Sequence, residues 1–190
     1  MTLHVGVLAL QGDFAAHERA VAALGHRVRQ VKTAAPLDSL DALLLPGGES
    51  TTMLKFLVEE GLMEPVAAFC RSGRPVFGTC AGAILLAKEV SSPSQASLGI
   101  VDMTVERNAY GRQVDSFIAR IEDAVPALRG AEAVFIRAPR IRQVGPGVEV
   151  LMRHAGDPVL VRQGPVYAAT FHPEMTEDGR VLQTVLGGLA

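Results

Sequence analysis

Short apolar runs alternate with helix-period segments through the first half of the chain: HVGVLAL, a stretch from Asp13 to Leu24, RVRQV, DALLLP, then a helical stretch after Ser50. Strand and helix units repeated in that order build a mainly parallel sheet, because parallel neighbours need a crossover and a helix is the usual one. Asp13 is placed to cap the first helix, Phe14, Val21 and Leu24 keep helical spacing, and Gly25 stands where a helix stops. Pro75 opens PVFG, a fourth inner strand, and a small-residue turn leads at once into AGAILLAKE, rich in helix formers. SSPSQASLG reads as a surface loop, followed by polar strands between Ile100 and Phe117 that form an antiparallel extension. VEVLMR, PVLVRQ and VYAATF, separated by Gly and Pro turns, read as consecutive strands before a last helix from about Asp178 to Leu186. The expectation is one α/β domain over residues 1–190, a three-layer, mainly parallel open sheet with helices on both faces, flavodoxin-like.

Composition removes several function classes. A chain of 190 residues with 48% hydrophobic content can bury one substantial core. A formal net charge of -2 gives no basic field for a phosphate backbone, so nucleic acid is not an expected partner. No apolar run approaches the ~20 residues of a membrane-spanning helix, and MTLHVGVLAL has no basic leader, so it reads as the buried first strand of a cytoplasmic protein. Cys70 and Cys80 are expected to be free thiols in a reducing compartment.

Chemistry concentrates in three places. Gly78-Thr79-Cys80-Ala81-Gly82 is a G-x-C-x-G motif between an inner strand and a helix, the thiol version of a nucleophile elbow. Glycines two residues to either side clear the tight backbone path, and a helix N-terminus stabilises a thiolate. The competing account is a structural cysteine beside a tight turn. Of five histidines, only His172 follows an apolar strand at the edge where open parallel sheets bind ligands; Pro173 holds it out of helical geometry, and Glu174 can orient its ring. His4, His17, His26 and His154 read as ordinary, partly exposed polar residues. Acyl transfer needs amides aimed at the developing oxyanion. The Ala81 amide is one candidate, and Pro46-Gly47-Gly48-Glu49-Ser50, a glycine pair straight after a strand, supplies another. That loop lacks the lysine and spacing of a phosphate cradle and does not match a dinucleotide fingerprint, so no cofactor and no metal are expected. Its ordinary alternative is a strand-to-helix turn capped by Ser50.

At these residues the sequence resembles class I, triad-type glutamine amidotransferase domains over essentially its whole length. Within them it is similar to the glutaminase subunits of pyridoxal 5'-phosphate synthase, through GVLALQGD, LPGGESTTM, FGTCAG, VERNAYGRQVDSF, FIRAP and FHPE. The resemblance implies that Cys80 attacks the side-chain amide of L-glutamine, that His172 is base and then acid to the leaving ammonia, and that Glu174 orients His172. It also places Gly47, Gly48 and Glu49 in the glutamine-binding loop, with Arg107, Ile136 and Arg137 at further substrate contacts; Arg140 and Arg142, close by in sequence, remain alternatives for part of that work. For either arginine, a solvent-facing salt bridge is the plain alternative. The implied partner is a separate (β/α)8 synthase subunit that takes the ammonia in a hetero-oligomeric complex and switches the glutaminase on, with Gln11 at the interface helping to complete the oxyanion hole. Rivals are the glutaminase subunit of imidazole glycerol phosphate synthase, which should lack VERNAYGRQVDSF, a γ-glutamyl hydrolase acting alone, and a non-catalytic partner-binding protein of this fold, which should have lost the cysteine, histidine or glutamate.

Overall fold

The structure is a computed structural model that describes residues 1–107 and 116–187. The chain begins with β1 (His4–Leu8), α1 (Phe14–Ala23), β2 (Arg27–Val31), β3 (Ala42–Leu45), α2 (Ser50–Glu59), α3 (Met63–Arg71), β4 (Val76–Thr79) and α4 (Ala81–Leu86). It continues through β5 (Ala87–Ser91), β6 (Val101–Glu106), β7 (Phe117–Ile121), β8 (Ala131–Phe135) and β9 (Arg140–Val144). The last elements are β10 (Glu149–His154), β11 (Asp157–Gln163), β12 (Val166–Ala169) and α5 (Arg180–Gly187).

Seven strands form one sheet in the order β10-β11-β12-β4-β3-β1-β2. Those from β12 to β2 are parallel, and at one edge β11 runs antiparallel to β12 and β10 antiparallel to β11. Side-chain alternation divides the apolar strands between two cores. Leu43 and Leu45 pack with the buried residues of α2, α3 and α4, whereas Ala42 and Leu44 pack with Val21 of α1 and Val181, Leu182 and Val185 of α5. The same split separates Val76 from Phe77 and Ala168 from Tyr167. A run such as ALLL, apolar at every position, is what a strand covered on both faces requires. The expected three-layer α/β fold is therefore present.

Strand order reverses at β1, whose two neighbours continue the chain in opposite directions across the sheet. Open α/β sheets form a crevice at such a point, outside the carboxyl ends of their strands. Here β1 runs out into Gln11, β3 into Gly47, β4 into Cys80 and β12 into His172, so adjacent parallel strands deliver four motifs to one edge.

Helix ends follow local chemistry. Asp13 caps α1 by accepting from the Ala16 amide at 3.1 Å, and Gly25, at φ +80°, closes it by donating to the Ala22 carbonyl. Glu49, not Ser50, caps α2: its carboxylate accepts from the Thr52 amide at 2.7 Å, while Ser50 is the first helical residue and donates to Gln95 Oε1 at 3.0 Å. Asp178 lies before α5 and accepts from the Arg180 amide at 3.2 Å.

AGAILLAKE is only partly helical. The chain turns extended at Ala87 because the Leu85 and Leu86 carbonyls accept from Leu98 and Ile100, and Ala87 pairs with Val101. Tertiary pairing overrides the helix propensity of Ala, Lys and Glu here, and Val90 is buried while Lys88 and Glu89 face solvent. The extension is antiparallel only in part: β6 runs antiparallel to β9 but parallel to β5, and β7, which begins at Phe117, pairs antiparallel with β8. The stretch 108–115 of the VERNAYGRQVDSF motif lies outside the described residues. Among the described residues no helix is long and apolar enough to cross a membrane.

Candidate active site

Cys80 sits between β4 and α4 at φ 48° and ψ -102°, in backbone space that a non-glycine residue enters only when its surroundings force it. Its amide is held by the Ala169 carbonyl at 2.8 Å, and its carbonyl accepts from Ile84 at 3.1 Å. The flanking glycines have a steric cause. A Cβ on Gly78 would lie 2.6 Å from the Gly82 carbonyl, and one on Gly82 would lie 2.1 Å from the Leu45 carbonyl oxygen. Cys70, the second free thiol, lies on the buried face of α3, and burial pushes it up to about 12, although the neighbouring Arg71 charge opposes the shift. The expectation of two free cysteines holds.

His172 follows β12 and is fixed by its own amide, which donates to the Val134 carbonyl of β8 at 2.8 Å. Pro173 then starts a single 3-10 turn that brings Glu174 back beneath the ring. Glu174 Oε1 lies 2.7 Å from His172 Nδ1, which leaves Nε2 for the sulfur side, and Cys80 stands close enough to the imidazole to favour its charged form. Burial alone would lower the His172 pKa, but Cys80 and Glu174 together outweigh it and raise the group to about 10. Burial alone would raise the Glu174 carboxyl; His17 and then His172 outweigh it and hold the group at about 2.

Those shifts set a pH window. The raised His172 contributes stability that is complete below its ordinary value of 6.5 and is lost as pH climbs through about 10. The depressed Glu174 contributes stability present above 4.5 and lost as pH falls through about 2. Thermal melts of wild type and Glu174→Gln across pH should therefore differ most between about pH 4.5 and 6.5 and converge toward both extremes. Parallel curves at every pH would remove this pair from the stability of the fold.

The glycine loop closes the arrangement. A Cβ on Gly47 would stand 2.4 Å from His172 Cε1 and 3.4 Å from Cys80 Cβ, so the loop lies directly against both side chains. Gln11 braces it from behind, with Oε1 accepting from the Glu49 amide at 2.8 Å. A cavity of about 300 Å³ opens above. Of the residues expected from sequence, Gly47, Gly48, Glu49, Cys80, Arg107, Ile136, Arg137 and His172 line it, while Gln11, Ala81 and Glu174 stand just behind the wall. Arg140 and Arg142 do not line it; they lie on β9 facing Asp157 and Glu106. Arg107 does form a salt bridge, to Glu49 at 3.2 Å in the cavity wall, with its own side chain only 11% exposed and that of Glu49 50%. Glu49 is held at about 2 because its contacts with Thr51 and Thr52 outweigh burial. Asp13, Ile84, Pro139 and Met175 also line the cavity and carry no sequence signal of that role.

His17 departs from expectation. It is completely buried, and its Nε2 lies 3.0 Å from Thr79 Oγ1 and 3.3 Å from Glu174 Oε1. Its place on the inner face of α1, four residues after the Asp13 cap, is the only pattern that could have marked it.

A thiol, an imidazole and a buried carboxylate in series beside a glycine loop can perform acyl transfer. Comparison with known proteins agrees with that chemistry. The model of the SNO glutamine amidotransferase family matches residues 7–186. A protein of Solibacter usitatus named pyridoxal 5'-phosphate synthase subunit PdxT is 53% identical, with 97% of this chain and 98% of that one aligned. One of the same name from Thermotoga neapolitana is 50% identical over 94% of this chain and 95% of its own. A crystal structure described as a glutamine amidotransferase superposes with a TM-score of 0.90 at 50% identity, covering 96% of this chain and 97% of that one. The PurLQS structure from Thermotoga maritima, with a TM-score of 0.74 at 17% identity and both chains fully covered, shares the fold. The chain belongs to the SNO glutamine amidotransferase family.

Proposed function

We propose that the whole chain is one glutaminase domain, the subunit of pyridoxal 5'-phosphate synthase that hydrolyses L-glutamine to L-glutamate and ammonia for vitamin B6 synthesis. The observation that carries this is His172, held at 2.7 Å by buried Glu174 and standing with Cys80 in one cavity wall, directly against the Gly47 loop. Cys80 Sγ attacks the side-chain carbonyl carbon of glutamine, and His172 takes the thiol proton. His172 then gives that proton to the amide nitrogen as the C–N bond breaks, leaving a thioester and free ammonia. Water, deprotonated by His172, attacks the thioester, and glutamate leaves as the thiol reforms. Glu174 stabilises the imidazolium in both halves. The amides of Ala81 and of Gly47 or Gly48 are the donors assigned to the oxyanion.

Glu49 and Arg107 suit the zwitterionic head of an amino acid, a carboxylate for its ammonium and a guanidinium for its carboxylate. With the cavity free they face each other at 3.2 Å. Arg137, at φ 44°, and Ile136 complete that wall. The ammonia passes to a (β/α)8 synthase subunit in a hetero-oligomeric, cytoplasmic complex, and Gln11 couples docking to the Glu49 amide it already holds.

Glutamate release should be measured with purified chain alone and with a pyridoxal 5'-phosphate synthase subunit. Strong stimulation by that subunit is expected. Equal turnover in both mixtures would favour a free-standing hydrolase, and none in either would sink the glutaminase reading. Glu174→Gln keeps volume and removes charge, so kcat should fall roughly 10- to 100-fold with KM nearly unchanged; full activity would take Glu174 out of the mechanism.

A further inference from the structure

His17 belongs to none of the sequence motifs assigned a role, yet it touches the least exposed part of the site. Glu174 Oε1 lies 2.7 Å from His172 Nδ1 and 3.3 Å from His17 Nε2, so one carboxylate oxygen faces two imidazoles. Thr79, within the elbow itself, has its hydroxyl 3.0 Å from the same His17 nitrogen. The side chains of His17 and Glu174 are both 0% exposed. His17 Nδ1 is buried with no hydrogen-bond partner among the described residues. A buried N–H left unpaired costs about 1–3 kcal/mol, and a bare nitrogen lone pair aimed at a carboxylate would repel it. Both considerations put a proton on Nε2, donated toward Glu174 and Thr79.

We infer that His17 is a positioning residue that locks the Glu174 carboxylate and so fixes the ring of His172; this rests on the glutaminase reading above. With two donors on Oε1, rotation of the carboxylate breaks one contact or the other. With His172 as its only donor, the carboxylate and the imidazole can turn together, and the line from Glu174 through His172 to Cys80 loses its anchor. The anchor comes from α1, whose first turn follows the Gln11 and Gly12 segment that braces the glycine loop. Triad and loop thus share one support.

The test compares His17→Leu, which removes the donor, with His17→Gln, whose side-chain amide reaches the position of Nε2. Glutamate release is measured with the synthase subunit present, and the Nδ1 proton of His172 is followed by NMR in the same proteins. His17→Leu should lower kcat roughly 10- to 100-fold at nearly constant KM, and the His172 resonance should broaden or vanish. His17→Gln should restore the resonance and bring kcat to within about 3-fold of wild type. If the leucine variant does not fold, His17→Asn, whose amide is too short to reach Glu174, takes its place with the same expected losses. Wild-type kcat without the donor, or equal losses in both variants with an unchanged resonance, would overturn the assignment. Absence of glutamate release from wild type would instead overturn the glutaminase reading, and the resonance comparison would still decide whether His17 holds Glu174.

Discussion

Cys80→Ala is expected to abolish glutamate release from glutamine, by at least ~10⁴-fold in kcat, while the chain stays folded. The size follows from the covalent route: without sulfur no thioester forms, and His172 and the oxyanion amides have no nucleophile to serve. Retention of the fold follows from the site. Alanine keeps the Cβ that already occupies φ 48°, and the elbow is held by backbone bonds from Cys80 to Ala169 and from Ile84 to Cys80 that do not involve the side chain. Far-ultraviolet circular dichroism, the melting midpoint and association with the synthase subunit should all stay near wild type. Iodoacetamide supplies an internal comparison, because it should label Cys80 and spare Cys70, whose thiol burial pushes up to about 12. Residual turnover within 100-fold of wild type would show that another group performs the attack.

What the sequence revealed and what it hid follow from how far each interaction reaches along the chain. The elbow, the glycine loop and His-Pro-Glu are local: their residue types are dictated by a tight turn, a close backbone approach and a contact two residues long. Each could be read from a short window, and the parallel strand order brought them to one edge. His17 could not be read this way, since its meaning depends on Thr79 and Glu174, 62 and 157 positions distant, and a histidine on a helix carries no mark of what it faces. The break after Leu86 is hidden for a related reason. AKE favours helix locally, and only pairing with Val101 and the amides of Leu98 and Ile100 draws the chain into a strand. Ser50 and Glu49 are both caps by composition, and only the fold shows that Glu49 stands at the cap position and takes the Thr52 amide, while Ser50 is already helical and donates to Gln95.

Gly82→Ala should damage folding and chemistry together. Its Cβ would lie 2.1 Å from the Leu45 carbonyl oxygen, 2.8 Å from the carbonyl carbon and 2.9 Å from Leu45 Cβ. Two of those atoms are backbone in a central strand paired on both sides, so no rotamer change relieves the overlap and α4 must move away from β3. Overpacking against rigid neighbours costs about 1–3 kcal/mol and sometimes more; at this double backbone contact we expect at least ~3 kcal/mol, seen as a lower denaturation midpoint. The chemical effect follows from where the overlap lies. Leu45 immediately precedes Pro46 and Gly47, and Gly82 is two residues after Cys80, so the contact sets the spacing between the nucleophile and the glycine loop. A displacement near 1 Å at a reacting centre costs about 100-fold in rate, so the folded fraction should also turn over slowly, with kcat falling more than KM rises. Gly73→Ala is the control: that glycine lies between α3 and β4, at φ +85°, nothing lies within 4 Å of an added Cβ, and it stands at the opposite end of β4 from Cys80. Backbone strain there should lower stability modestly and leave kcat unchanged. If Gly82→Ala matched that control in both stability and rate, the glycine after the cysteine would owe its presence to something other than the approach of α4 to β3.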